Sequence, residues 1–221
     1  MLFKTKGVVF RFTRYGETSI IVSVFTDQFG LQSFIVNGAR SKSANSKMAL
    51  YQPLTLLELV VYHRENANIN RIREVKCLYP YQTIHKDFYK ASIGMFINEV
   101  LNRTVKEESH SQNLCEFIIS SLMTLDSMAE HIENFHLQFL LKLSGFLGFG
   151  ARTVQDILGL RVTDPAIETF LNQLMDADYT TYIPCTNAQR REALDLLVKF
   201  YNDHLGLGEL NSLQVLREIM N

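Results

Sequence analysis

Along the first eighty residues apolar and polar side chains alternate with a period of two, and beyond them the period lengthens to that of a helix. The runs "KTKGVVFRFTRY" and "TSIIVSVFT" are β-branched and aromatic and are separated by "YGE". In the second, Ile20, Val22 and Val24 alternate with Ser19, Ile21 and Ser23, the pattern of a half-buried strand. "TDQFG", with a glycine suited to a turn of positive φ, leads into "LQSFIVN". After a longer connection, Gly38 to Gln52, Pro53 opens "LTLLELVVYH", and "NANINRIREVKCLY" supplies a fifth extended segment. Five such strands predict a small closed or partly closed barrel. The long third-to-fourth connection gives the outline of an OB-fold, although five strands alone also fit an SH3-like barrel.

Past Pro80 the spacing predicts helices. "HKDFYKASIGMFINEVLNRTV" places Phe88, Ala91, Met95, Phe96 and Val100 at steps of three and four, which predicts one apolar face. "QNLCEFIISSLMTLDSMAEHI" and "ENFHLQFLLKLSGFLGF" are apolar enough for interior helices. In "TNAQRREALDLLVKFYNDHLG", Thr186 followed three positions later by Gln189 has the form of a capping box, with Gly206 as the stop. "SLQVLREIM" closes the chain. The predicted fold class is α+β: a five-stranded OB-fold barrel over residues 1–79 followed by an all-α domain over 80–221.

Composition changes this picture little. With 47% apolar and 20% charged residues, the 221-residue chain suits a globular protein with a real core. "MLFKTKGVVFRF" lacks the form of a signal peptide, and "LQFLLKLSGFLGFG" is too short and too interrupted to span a bilayer, so a cytoplasmic location is the expectation. Cys77, Cys115 and Cys185 are too scattered for a disulfide framework or a metal-ligand pair, and are expected as buried or half-buried free thiols.

Charge changes it more. Residues 1–80 carry eleven Lys and Arg against five acids, a net +6, whereas 81–221 carries eleven bases against eighteen acids, a net −7. No carboxylate occurs between Asp27 and Glu58. Such asymmetry points to a polyanion partner for the basic part. Arg40, Lys42 and Lys47 stand among Gly, Ser and Asn in "NGARSKSANSKMALYQP", Arg11 and Arg14 lie at the first hairpin, and Arg64, Arg71 and Arg73 bracket the last. OB-folds bind single strands with a cationic groove and aromatic faces, and Phe10, Phe12, Tyr15, Phe25, Phe29 and Phe34 supply rings, most of which must fill the barrel. Without a zinc-finger or helix-turn-helix pattern, binding should be phosphate-led and tolerant of sequence.

The stretch "RYGETSIIVSVFTDQFGLQSFIVNGARSKSANSKMALYQPLTLLELVVYH" resembles the RecO family of DNA repair proteins. The resemblance is carried by Arg14-Tyr15-Gly16-Glu17, the Thr26 to Gly30 turn, the basic loop from Gly38 to Lys47, and Tyr51-Gln52-Pro53-Leu54. More loosely, "MFINEVLNRTVKEE" and "NFHLQFLLKLSGFLGF" are similar to helical segments of that family. It implies an OB-fold plus a helical domain that binds single- and double-stranded DNA, anneals complementary strands, and works with RecR to load RecA onto DNA coated by single-strand-binding protein. By position, Arg14, Arg40, Lys42 and Lys47 become DNA-contact candidates, joined by Arg11, Arg71 and Arg73. The family's helical domain holds the acidic C-terminal tail of single-strand-binding protein, for which the resemblance offers Lys142 and Arg152 beside "LSGFLGF". Many members carry a four-cysteine zinc site after this helix; here "GFGARTVQDILGL" has no cysteine, so no such site can be assembled and no cofactor is expected.

No catalytic constellation stands out. Glu133 and His136 make a single E-x-x-H step where a di-metal bundle needs two and further glutamates. His131 and His136 are expected as surface or capping histidines, and "GFLGFG" as a site of close helix packing and a helix stop, its glycines being wrongly spaced for a nucleotide loop. The chain is read as a non-enzyme. An interaction scaffold for an acidic protein, or an RNA-binding OB protein, remains the alternative.

Overall fold

The structure, a computed structural model, describes residues 1–40, 48–64, 67–106 and 111–219. It divides into two compact units: Met1–Tyr81 with Val105–Met123, and Gln82–Thr104 with Thr124–Asn221.

The first unit is built on a closed barrel of β1 (Leu2–Tyr15), β2 (Ser19–Thr26), β3 (Gly30–Val36), β4 (Leu56–Tyr62) and β5 (Asn70–Cys77), in the order β1-β2-β3-β5-β4. All pairs are antiparallel except β3–β5, whose parallel contact closes the ring. This connectivity is the OB-fold. One long strand makes closure possible: the first half of β1 pairs with β4 and the second with β2. At the overlap sits Gly7, where a Cβ would come within 2.7 Å of Val24 Cγ1 and 2.8 Å of the Phe25 carbonyl oxygen, so only glycine allows the sheet to fold over on itself here. A register shift between Val9 and Arg11 adds the bend a barrel rim needs.

Val9, Ile20, Val22, Val24, Phe34, Leu57, Leu59 and Val61 fill the interior, and each is at most 2% exposed. The alternation in β2 therefore reads out as expected, with Ile20, Val22 and Val24 inside. On the outer side Phe10 stacks on Phe25 at 5.7 Å, and Cys115 of α2 (Ser111–Ser127) donates to the Phe25 carbonyl at 3.6 Å. Burial pushes the Cys115 thiol up to about 12, so it packs as an inert apolar group. Cys185 is half-buried, but Cys77 is exposed, against expectation, because it ends β5 at the barrel rim.

The second unit is helical: α1 (Phe88–Thr104), the end of α2, α3 (Phe135–Phe146), α4 (Val154–Leu158), α5 (Pro165–Asp176), α6 (Asn187–Leu205) and α7 (Asn211–Ile219). Thr186 and Gln189 make the reciprocal capping bonds of α6, and Gly206 ends it in the left-handed region at φ 61°. Helix α3 ends at Phe146, the stop read from "GFLGFG", and ideal Cβ geometry at Gly150 falls 2.8 Å from Gly145 Cα, so the close approach is that of the departing chain to the helix's own last turn. Glu99 of α1 accepts from the Ser212 hydroxyl (2.6 Å) and from the backbone N–H of Ser212 and Asn211 at the start of α7 (2.8 and 3.0 Å), and from Arg103 (2.8 Å). Burial pushes the Glu99 carboxyl up, but these bonds outweigh it and hold it below its ordinary value.

Three expectations need correction. The buried face of α1 is Ile93, Phe96, Ile97, Val100, Leu101 and Thr104, while Phe88 and Met95 are 69% and 59% exposed. The helix carries two apolar stripes on opposite sides, and the spacing of Phe88, Ala91 and Met95 marks the outer one. Helix α2 stops at Ser127, short of His131, which takes a left-handed conformation (φ 61°) before the 3-10 turn Ile132–Asn134. His136 is not a surface group: it is 1% exposed inside α3, beside Phe96.

Candidate nucleic-acid interface

Residues directly opposite on neighbouring strands share a face of the sheet. Because Val22, Phe34 and Val61 point inward, their neighbours point out, and the registers link the latter into a row around the barrel. Tyr62 pairs with Arg71, Arg71 with Ile35, Ile35 with Ile21, and Ile21 with Thr13. Four inter-strand steps of ~4.8 Å give a track of about 19 Å along the ladder. Beside it runs a second outward row, Arg11–Ser23–Ser33, and then Tyr15–Ser19.

The chemistry of these ten side chains is of one kind. Two guanidiniums, four small hydroxyls, two isoleucines and two tyrosines are present, and no carboxylate. Neither Arg11 nor Arg71 has an ion-pair or hydrogen-bond partner for its side chain among the described residues, so their donors face solvent. Thr13 is exposed, Ser19 and Ser33 are half-buried and Ser23 is buried, so three of the four hydroxyls are open to a sugar–phosphate chain, and they are short enough for it to approach the sheet closely. Tyr15 and Tyr62, 51% and 46% exposed, are the rings available to a base. Of the rings considered from sequence, Phe10, Phe25 and Phe34 are buried; Phe12 and Phe29 are partly buried against the barrel core, with Phe29 stacked on His63 at 4.0 Å.

The other candidates fall into distinct places. Arg14 is the penultimate residue of β1 and is exposed. Arg73, at the register shift between β4 and β5, lies 3.6 Å from Glu74, both half-exposed, a pair of little energetic weight. Arg40 is half-buried: its Nη2 donates to the carbonyls of Gly16 and Glu17 (both 2.6 Å) and its Nε to that of Ser19 (3.3 Å). Its backbone N–H also bonds Thr18 at 2.9 Å. Lys42 and Lys47 lie outside the described residues. In the helical unit, Lys142 Nζ is 3.4 Å from the Ala177 carbonyl and 5.5 Å above the Tyr179 ring. The Arg152 backbone N–H bonds the Asp156 carboxylate at 2.8 Å, below α4.

A second concavity, of about 510 Å³ on the β1–β4–β5 side, is lined by Lys4, Lys6 and Lys76 but equally by Asp27, Glu58 and Glu74. A phosphate chain there would meet as many carboxylates as cations. The track across β5, β3, β2 and β1 is the better polyanion surface. Among the described residues no group of three His, Cys, Asp or Glu is placed to hold a metal ion, and no helix is long and apolar enough to cross a membrane.

Sequence reading set Ser19, Ile21 and Ser23 opposite the buried side of β2 but missed Tyr62, Ile35, Thr13 and Ser33 as surface features. Only the register reveals that they adjoin.

The fold and this surface define a class: an OB-fold protein with a carboxylate-free outer track, continued in the same chain by a helical unit. The family model described as Recombination protein O N terminal matches residues 1–81, and that described as Recombination protein O C terminal matches residues 85–167. The sequence is 34% identical to the DNA repair protein RecO of Bacteroides fragilis, 33% to that of Phocaeicola vulgatus and 32% to that of Flavobacterium johnsoniae, with the whole of both chains covered each time. The chain belongs to the RecO family.

Proposed function

We propose that the protein is a DNA-repair mediator that binds single- and double-stranded DNA along the outer track, anneals complementary strands, and with RecR helps load RecA. The observation that carries this reading is the absence of any carboxylate among the ten side chains of the outer track, which presents Arg11 and Arg71 unpaired among the described residues. Arg14 and Arg73 extend the cationic surface, Lys42 and Lys47 are DNA-contact candidates by their place in the basic segment of the sequence, and Arg40 shapes the surface by holding the first hairpin turn. Annealing needs no bond chemistry. It needs two polyanions neutralised and kept close, which a phosphate-led, sequence-tolerant surface supplies. In this division of labour residues 1–79 act on DNA, and 80–221 meet protein partners. Lys142 and Arg152 are the cations proposed to receive the acidic tail of single-strand-binding protein. The protein acts without a cofactor, as a non-enzyme of the cytoplasm.

The test is annealing of complementary oligonucleotides precoated with single-strand-binding protein. The reading requires acceleration by the wild-type chain and its loss in an Arg11→Ala/Arg71→Ala variant that stays folded. Binding to RNA alone, or to a protein alone, would move the assignment to the rival OB-fold roles.

A further inference from the structure

We infer that the cavity at the Tyr62 end of the track holds one unpaired nucleotide of a DNA strand, the base against the Tyr62 ring and its phosphates between Arg64 and Arg71. This rests on the DNA reading above and adds to it the feature that separates single strands from duplex. The cavity measures about 640 Å³ and its described lining is Met1, Tyr62, Arg64, Ala67, Ile69, Asn70 and Arg71, with no carboxylate side chain among these described residues. That volume lies within the range of small-ligand sites.

Each wall has a different chemistry. Tyr62 and Arg71 are cross-strand neighbours, so an aromatic face and a guanidinium stand side by side. Ile69, 43% exposed, supplies an aliphatic surface. Asn70 forms a polar floor that is already satisfied: its Nδ2 donates to Gln32 Oε1 at 3.1 Å and its Oδ1 accepts the Arg64 backbone N–H at 3.1 Å. The floor is therefore rigid and does not select the ligand. What remains free is a ring, an aliphatic wall and two guanidiniums without side-chain partners among the described residues. A flat apolar base joined to a phosphate satisfies all of them at once.

Duplex DNA cannot use this pocket, because its bases are already stacked and paired. Arg11, Thr13 and Ser33 meet what both forms share, the sugar–phosphate chain, and Tyr15 lies on the open face of the sheet outside the cavity. The part of the discrimination that comes from an enclosed base should then reside in Tyr62.

The experiment uses the full-length protein, a single-stranded oligonucleotide and a duplex of the same length, at one salt concentration. In Tyr62→Ala the single-strand affinity should fall by roughly five- to hundredfold, the loss of one stacked base. Duplex affinity should fall less, so that the ratio of the two drops. Tyr62→Phe keeps the ring and should restore the ratio. Tyr62 is half-exposed and its removal leaves the barrel interior intact. A ratio unchanged by Tyr62→Ala, in a protein that binds both forms, overturns the pocket alone. A wild-type chain that binds neither form overturns the DNA reading and the pocket with it.

Discussion

Arg40 Nη2 donates to the backbone carbonyl of Glu17 at 2.6 Å, so a cation that sequence alone reads as a phosphate ligand is a clasp on the β1–β2 turn. The same guanidinium reaches Gly16 and Ser19, and among the described residues no carboxylate pairs with it. Removing it leaves two turn carbonyls that only solvent can satisfy. Arg40→Ala should cost about 2 kcal/mol of stability, within the range for hydrogen bonds from charged groups and reduced by partial exposure. It should weaken DNA binding through the displaced Tyr15 ring while leaving the salt slope unchanged. Arg40→Lys, lacking the planar fork, should behave much like alanine. Anisotropy titrations at several salt concentrations check this, and a slope that falls by a full phosphate's worth would return Arg40 to direct contact.

Arg11 and Arg71 make the opposite forecast. About four neutralised phosphates give a log–log salt slope near −3 on single strands, or about fiftyfold weaker binding between 50 and 200 mM salt. Replacing both by alanine should bring the slope to about −1.4 and the loss to about sevenfold over the same range. Both side chains are exposed, so the thermal midpoint should hardly move. An unchanged slope would take the DNA path away from this face.

The barrel was legible in the sequence because strand patterning is local: Ile20, Val22 and Val24 announce their own face. The capping box of Thr186 and Gln189 is local too. What could not be read is pairing. That Tyr62, Arg71, Ile35, Ile21 and Thr13 form one row depends on four registers set by bulges and closure. Periodicity failed on α1 because both its sides are apolar, and spacing cannot say which one is covered. Helices α4 and α5 went unread although Thr153 with Asp156, and Asp164 before Pro165, are cap signals; α4 is too short for a periodicity. Arg40's role is also non-local, since its partners lie more than twenty positions away.

Asp126 organises the helical unit. Only 2% exposed, its carboxylate accepts the backbone N–H groups of Gln82, Thr83 and Ile84 at 2.8–2.9 Å. Buried Lys90 donates to its carbonyl (2.9 Å), to Thr83 Oγ1 (2.7 Å) and to the Met128 carbonyl (2.6 Å). Alanine would leave one buried and two partly buried backbone donors, and a nearby ammonium, without the anion. Asp126→Ala should destabilise by about 3 kcal/mol or more. Asp126→Asn, which retains one acceptor oxygen, should lose less. Urea unfolding monitored by helix content decides it, and a loss below about 1 kcal/mol would make the cluster incidental.

His136 sets an acid limit on the helical unit. It is buried, its Nδ1 has no hydrogen-bond partner among the described residues, and its pKa is pushed down to about 3 by burial first and the Arg190 charge second. The unfolded chain takes up a proton on this imidazole below pH 6.5, whereas the folded chain does not until about pH 3. Between those values the unfolded state binds more protons, so stability falls as pH falls, by about 1.4 kcal/mol per pH unit. Going from pH 7 to pH 5 should therefore cost about 2 kcal/mol through this group alone. His136→Leu removes the titration while keeping an apolar side chain against Phe96. Its unfolding free energy should drop by that much less than the wild type's over the same interval. Equal losses in the two proteins would mean that the imidazole is protonated in the folded state after all.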